Sequence, residues 1–184
     1  SIMNSSTSGN PPHGLNKVNA NTFTYWQYVD TLVYWGGSSG EGLIVPPSPD
    51  VVDAAHKNGV RVLGTVFMPQ TAHGGKMEWL EDLLVKNEDG SYPVADKLIE
   101  VAQTYGFEGW FMNQETEGTD EEPLTADHAA RMQQFIQYFK EQAPDLDLVY
   151  YDSMTVDGKM DWQNALTEEN LAYLVSEDGD PVAD

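Results

Sequence analysis

Strand-like and helix-like segments alternate along this chain, and that alternation constrains the fold more than any other feature. Four β-rich runs, "YVDTLVYW" (28–35), "VRVLGTVF" (60–67), "FEGWFMN" (107–113) and "LDLVYYDS" (146–153), are almost continuously apolar, as strands buried on both faces are. Helical patterns separate them. In "SPDVVDAAHKNG" Ser48 is a candidate cap, Pro49 suits the first turn and Gly59 can close the helix. "MEWLEDLLVK" and "PVADKLIEVAQTYG" follow, the second ending at Gly106. "TADHAARMQQFIQYFKEQAP" starts at Thr125 and stops before Pro144, and "TEENLAYLV" opens a further helix at Thr167. Strand alternating with helix is the signature of parallel βαβ units, so an α/β fold is expected.

A doubly wound sheet and a (β/α)8 barrel both satisfy this pattern. No GxGxxG or GxxxxGK[ST] follows any strand, which removes the usual nucleotide-binding reason for the first. Polar and aromatic residues gather instead at strand C-termini: Trp35; Phe67 to Gln70; Asn113 and Glu115; Tyr151 and Asp152. Active groups at the C-terminal ends of several strands are the habit of the barrel. Four βα units are half of eight, and a whole barrel takes about 250 residues, against 184 here. The expectation is therefore a (β/α)8 TIM-barrel type with about its first half present. An irregular lead-in rich in Ser, Asn, Gly and Pro would span 1–24, and the N-terminal half of a barrel 25–184. On this reading the missing C-terminal half is required, and the chain alone is inactive.

The net charge of −21, from 30 acidic and 9 basic residues, disfavours nucleic acid and anionic membranes as partners. The absence of cysteine excludes disulfides, thiol catalysis and Cys-ligated zinc. No apolar run approaches the roughly 20 residues of a membrane helix, so membrane insertion is not expected. His13 and His128 have no partners at metal-ligand spacing, and neither metal nor cofactor is called for. The acidic run Glu117, Asp120, Glu121 and Glu122 reads as a solvated loop.

The stretch that carries chemistry is "GWFMNQETEG" (109–118), where an apolar run ends in Asn113 and Glu115. Residues two apart on a strand share a face, so both would project from the strand's top toward one space. The nine residues Phe107 to Glu115, "FEGWFMNQE", are similar in length and spacing to the chitinase strand signature Phe-Asp-Gly-x-Asp-x-Asp-x-Glu. Glu115 keeps the final position, Asn113 replaces the Asp before it, and Phe111 the one before that. A carboxylic acid there can protonate a glycosidic oxygen. The residue two back can hold a 2-acetamido group while its carbonyl oxygen attacks the anomeric carbon, the substrate-assisted exception to two-carboxylate catalysis. An Asn amide suits this second role because it both donates and accepts.

Together with "NTFTYWQYVDTLVYWGGSSGEGLIVPPSPDVVDAAHKNGVRVLGTVFMPQ" and "LVYYDSMTVDGKMDWQN", the Asn-x-Glu strand resembles the glycoside hydrolase family 85 endo-β-N-acetylglucosaminidases, of the bacterial Endo-D and Endo-A type. The resemblance runs from about Leu15 to Asp184. It implies hydrolysis of the β-1,4 bond between the two N-acetylglucosamines of the N-glycan core through an oxazoline intermediate, with transglycosylation to an acceptor alcohol as a further outcome. Glu115 would be the general acid and then the base, Asn113 would orient the acetamide, and Tyr151 would place its hydroxyl near the reacting sugar. Trp162 would flank the acceptor side, with Trp35 and Phe67 as walls of the sugar subsites. His73 stands in the loop after the second strand, where relatives would carry an aromatic. N-linked glycans of glycoproteins are the implied partners. The implied setting is bacterial, secreted or attached to the cell surface, with a cytoplasmic location as the alternative. A chitinase-like hydrolase and a sugar-binding barrel without catalysis are the competing readings. Packing is the competing role for Tyr151, Trp162, Trp35 and Phe67.

Overall fold

A computed structural model describes residues 23–35, 42–151 and 153–160 of the chain. Five strands and four helices follow one another as β1 (Thr31–Val33), β2 (Ile44–Val45), α1 (Pro49–Lys57), β3 (Arg61–Met68), α2 (Met77–Leu83), α3 (Pro93–Tyr105), β4 (Gly109–Gln114), α4 (Ala126–Gln142) and β5 (Asp147–Tyr150). Strands β1, β3, β4 and β5 lie side by side in that order, all parallel. The four expected βα strands are therefore consecutive staves of one sheet. Two details differ from the sequence reading. The first strand starts at Thr31, because Trp26–Tyr28 form a 3-10 turn. Ile44–Val45 then runs antiparallel along Val66 and Thr65 of β3, beyond the end of β1, as a two-residue strap the alternating pattern did not reveal. The helix expected from Thr167 lies outside the described residues, as do most of the lead-in and Trp162.

Helix boundaries follow local chemistry. Pro49 and Pro93 open α1 and α3, where a missing N–H costs nothing. Gly106 closes α3 in the left-handed region at φ 71°, its N–H bonded to the Ala102 carbonyl at 2.8 Å. Ser48 occupies the cap position of α1, but its backbone carbonyl accepts the first bonds, from Val51 and Val52, and its side chain makes no cap bond. At α4 the capping box is complete: Thr125 and His128 satisfy each other's backbone N–H groups. His128 also bonds Glu81 of α2 at 2.7 Å, and Arg131 bonds the other Glu81 oxygen at 2.7 Å. The Arg131 hydrogen bond holds the Glu81 carboxyl below its ordinary range against the opposing effect of burial, with His128 assisting.

Register sorts the side chains into two faces. Val62, Val66, Met68, Trp110 and Met112 point one way and join Ala55, Leu98, Ile99, Ala102, Phe135 and Phe139 from the helices in one buried core. The Trp110 indole N–H donates to the Leu98 carbonyl at 2.9 Å, fixing α3 over β4. Level partners in a parallel ladder share a face, so Leu63, Thr65 and Phe67 of β3 and Gly109, Phe111 and Asn113 of β4 form the opposite, inner face. Gly109 is required there: at φ 144°, a Cβ on it would lie 1.9 Å from the Asp147 carbonyl oxygen. The inner face holds the candidate site.

Candidate functional site

The site is built at the C-terminal ends of β3, β4 and β5. Phe67 pairs with Asn113 across β3 and β4. Tyr151 donates its backbone N–H to the Met112 carbonyl at 2.9 Å, which extends the Met112–Tyr150 pairing by one step and brings Tyr151 level with Asn113. Three residues singled out in the sequence thus stand in one row across three strands. Asn113 is only 5% exposed, and its Nδ2 donates to Glu115 Oε1 at 2.9 Å. The predicted shared face is confirmed by that contact. Gln114, between them, turns to the opposite side and is fully buried, trading hydrogen bonds with the Thr116 backbone at 2.9 Å in both directions.

Three aromatic rings of the inner face pack together at and just below this row. The Trp35 ring lies 5.1 Å from that of Phe67 and 6.0 Å from that of Phe111, both tilted. Trp35 and Phe67 are half-buried and packed against each other, and Phe67 stands level with Asn113. His73 is not brought in. It is exposed at the end of the 3-10 turn Thr71–His73, and among the described residues its side chain bonds neither Asn113 nor Glu115. Among the described residues, no group of three or more His, Asp or Glu is placed to hold a metal ion.

Two contributors were not legible as such. Gln70, two residues past the end of β3, donates its Nε2 to Glu115 Oε2 at 3.3 Å. Glu117 is half-buried rather than solvated: its Oε2 accepts the Thr71 backbone N–H at 2.9 Å. Thr71 Oγ1 in turn accepts the Gly118 N–H at 3.1 Å, Thr116 Oγ1 donates to the Pro69 carbonyl at 2.7 Å, and the Glu115 N–H donates to the Met68 carbonyl at 2.8 Å. The loops after β3 and β4 are therefore stitched together beyond the end of their ladder. The available signal was the polar pair Gln70-Thr71 at one strand end facing Glu115-Thr116-Glu117 at the next.

An inner-face amide and carboxylate at the C-terminal end of a parallel strand, with helices on the outer face, define a (β/α)8-type site. Comparison with known proteins agrees. The model of glycosyl hydrolase family 85 matches residues 3–180, and the chain belongs to that family. The cytosolic endo-β-N-acetylglucosaminidase of Mus musculus is 33% identical over 165 residues, which is 88% of this chain and 21% of that protein. The cytosolic endo-β-N-acetylglucosaminidase 2 of Arabidopsis thaliana is 34% identical over 159 residues, 84% of this chain and 21% of that protein. Among solved structures, the glycoside hydrolase domain of Endo-D from Streptococcus pneumoniae R6 superposes with a TM-score of 0.72 at 36% identity, over 98% of this chain and 27% of that one. The fold is of the (β/α)8 TIM-barrel type. The chain spans about a fifth of the length of the curated relatives it matches. Those relatives, eukaryotic and named cytosolic, do not support the secreted, cell-surface and bacterial setting expected from the sequence.

Proposed function

We propose that this chain carries the acid–base and acetamide-orienting residues of an endo-β-N-acetylglucosaminidase that cleaves the β-1,4 bond between the two N-acetylglucosamines of the N-glycan core. The observation that carries the reading is the 2.9 Å bond from Asn113 Nδ2 to Glu115 Oε1 on the inner face. One carboxylate beside one amide is what substrate-assisted hydrolysis needs; two-carboxylate schemes need a second acid at about 5–5.5 Å or about 6.5–9.5 Å.

In the first step Glu115 gives its proton to the glycosidic oxygen as that bond breaks. The substrate's acetamide oxygen attacks the anomeric carbon and closes an oxazoline ring. Asn113 holds the acetamide so that its oxygen points at that carbon. In the second step the Glu115 carboxylate takes a proton from water, or from an acceptor alcohol in transglycosylation, and the ring reopens with retained configuration. Tyr151, level with Asn113, would hold the reacting sugar, Trp35 and Phe67 would wall it, and Trp162 would flank the acceptor. The rest of a longer enzyme would complete the barrel and read the glycan branches. The names of the eukaryotic relatives favour the cytoplasmic setting.

The test offers the full-length enzyme a high-mannose or trimmed-core glycoprotein and, separately, chitin oligomers. Release of glycan with one sugar left on the protein supports the proposal. Chitin cleavage alone would assign a chitinase-like hydrolase, and binding without turnover a sugar-binding barrel.

A further inference from the structure

Glu115 must serve in both protonation states while keeping one position, and its side chain alone cannot ensure that. A glutamate has three rotatable bonds, and at a strand end it has fewer neighbours to restrict them. Asn113 secures only one oxygen, Oε1. The other, Oε2, has Gln70 Nε2 at 3.3 Å.

Gln70 is itself fixed. Its backbone carbonyl accepts N–H bonds from His73 at 2.8 Å and Gly75 at 3.0 Å. Gly75 is packed so closely against the turn that a Cβ on it would lie 1.9 Å from the Pro69 carbonyl oxygen. On one side Pro69 is tied to Thr116, and on the other Thr71 is tied to Glu117 and Gly118. The residues flanking Gln70 in sequence are thus bonded to the three residues that follow Glu115. The titratable groups on the surrounding elements are Glu117 on the same loop, His73 and Lys76 after β3, and Tyr151 at the end of β5. Among the described residues none of these bonds the Glu115 carboxyl, whose polar partners are the two amides.

We propose that Gln70 is a positioning residue for Glu115, gripping Oε2 while Asn113 grips Oε1, so that the carboxyl holds one orientation through both halves of the reaction. The inference rests on the reading of Glu115 as the general acid and base. An amide can do this in either state: its N–H donates to the ionised oxygen, and its carbonyl, after a flip of the amide, accepts the O–H of the protonated one. Asn113 then faces the substrate's acetamide and Gln70 lies behind the carboxyl. Removing the donor disfavours the ionised form, so Glu115 should keep its proton to higher pH.

Gln70→Leu and Gln70→Glu in the full-length enzyme test this. Gln70→Leu is expected to lower kcat about tenfold or more, the weight of a hydrogen bond to a charged group, with KM changed less than about twofold. The alkaline limb of the pH–rate profile, where the acid loses its proton, should move up in Gln70→Leu and further up in Gln70→Glu, which sets a second carboxylate beside the first. Wild-type kcat and an unmoved limb in Gln70→Leu overturn the proposal. So does an equal loss in both variants with the pH profile unmoved, which would mark Gln70 as a support of the turn only. If the wild-type enzyme releases no glycan, the functional reading fails instead. The carbon-13 titration of the Glu115 carboxyl then decides: an upward shift in Gln70→Leu supports the contact, and an identical titration overturns it.

Discussion

On the proposed mechanism, replacing Asn113 with alanine would remove two effects that separate reactions can resolve. The first is the 2.9 Å donor to Glu115 Oε1. A hydrogen bond to a charged group contributes about 1.5–3 kcal/mol, or a factor of about 10–150 in rate if it is fully used in the transition state. The second is orientation of the acetamide, which matters only while the oxazoline is being formed. Glycoprotein hydrolysis needs both, whereas opening of a preformed oxazoline needs Glu115 as base and nothing from the acetamide clamp. Asn113→Ala should therefore slow hydrolysis by more than about 150-fold and oxazoline use by less. The assay compares glycan release from a glycoprotein with transfer from a synthetic oxazoline donor, for wild type and variant at one pH. Equal losses in the two reactions would refute the acetamide role, and normal hydrolysis would refute the site. Because Asn113 is nearly buried, urea midpoints must be compared first so that lost fold is not counted as lost chemistry.

Three further expectations follow from other contacts. Glu115→Gln should lower hydrolysis by about 10²–10⁴-fold with little change in thermal midpoint, since the new amide oxygen still accepts from Asn113. Gly109→Ala places a Cβ 1.9 Å from the Asp147 carbonyl oxygen at φ 144°; we expect a loss of at least about 3 kcal/mol in urea unfolding, and a loss under about 1 kcal/mol would contradict the close approach of β4 and β5. The carboxyl of Glu81 is held below its ordinary value of 4.5 by Arg131, so it adds stability above that pH and loses it as pH falls through the lowered value. Wild type should exceed Glu81→Gln in free energy of urea unfolding at pH 7 by at most about 1 kcal/mol, given its exposure, and the gap should narrow as pH falls below 4.5; a gap that does not narrow at all in acid would count against the ion pair.

What the sequence disclosed depended on period and on punctuation. The runs at 60–67 and 107–113 differ from observed β3 and β4 by one or two residues at each end, because continuous apolar character bounded by Gly marks buried strands well. Pro49, Pro93 and Gly106 fixed helix ends because each acts through its own backbone geometry. The i, i+2 spacing placed Asn113 and Glu115 together, as their contact shows. The strap Ile44–Val45 was lost because two residues carry no periodicity, and its pairing is decided by the edge that β3 offers. Gln70 and the loop-tying role of Glu117 were lost because they depend on two loops about 46 residues apart being level, which only the β3–β4 register determines.

That register has a consequence for how the site could change. Phe67, Asn113 and Tyr151 stand one strand apart, at the fixed interval of about 4.8 Å that backbone pairing imposes. Their separation is set by the ladder and not by their own side chains. Any of the three can be exchanged for another residue while the interval endures, so new specificities can be tried at constant spacing. A shift of the strands by one residue would turn all their side chains to the opposite face at once. The sheet thus acts as a ruled frame on which chemistry is rewritten one mark at a time.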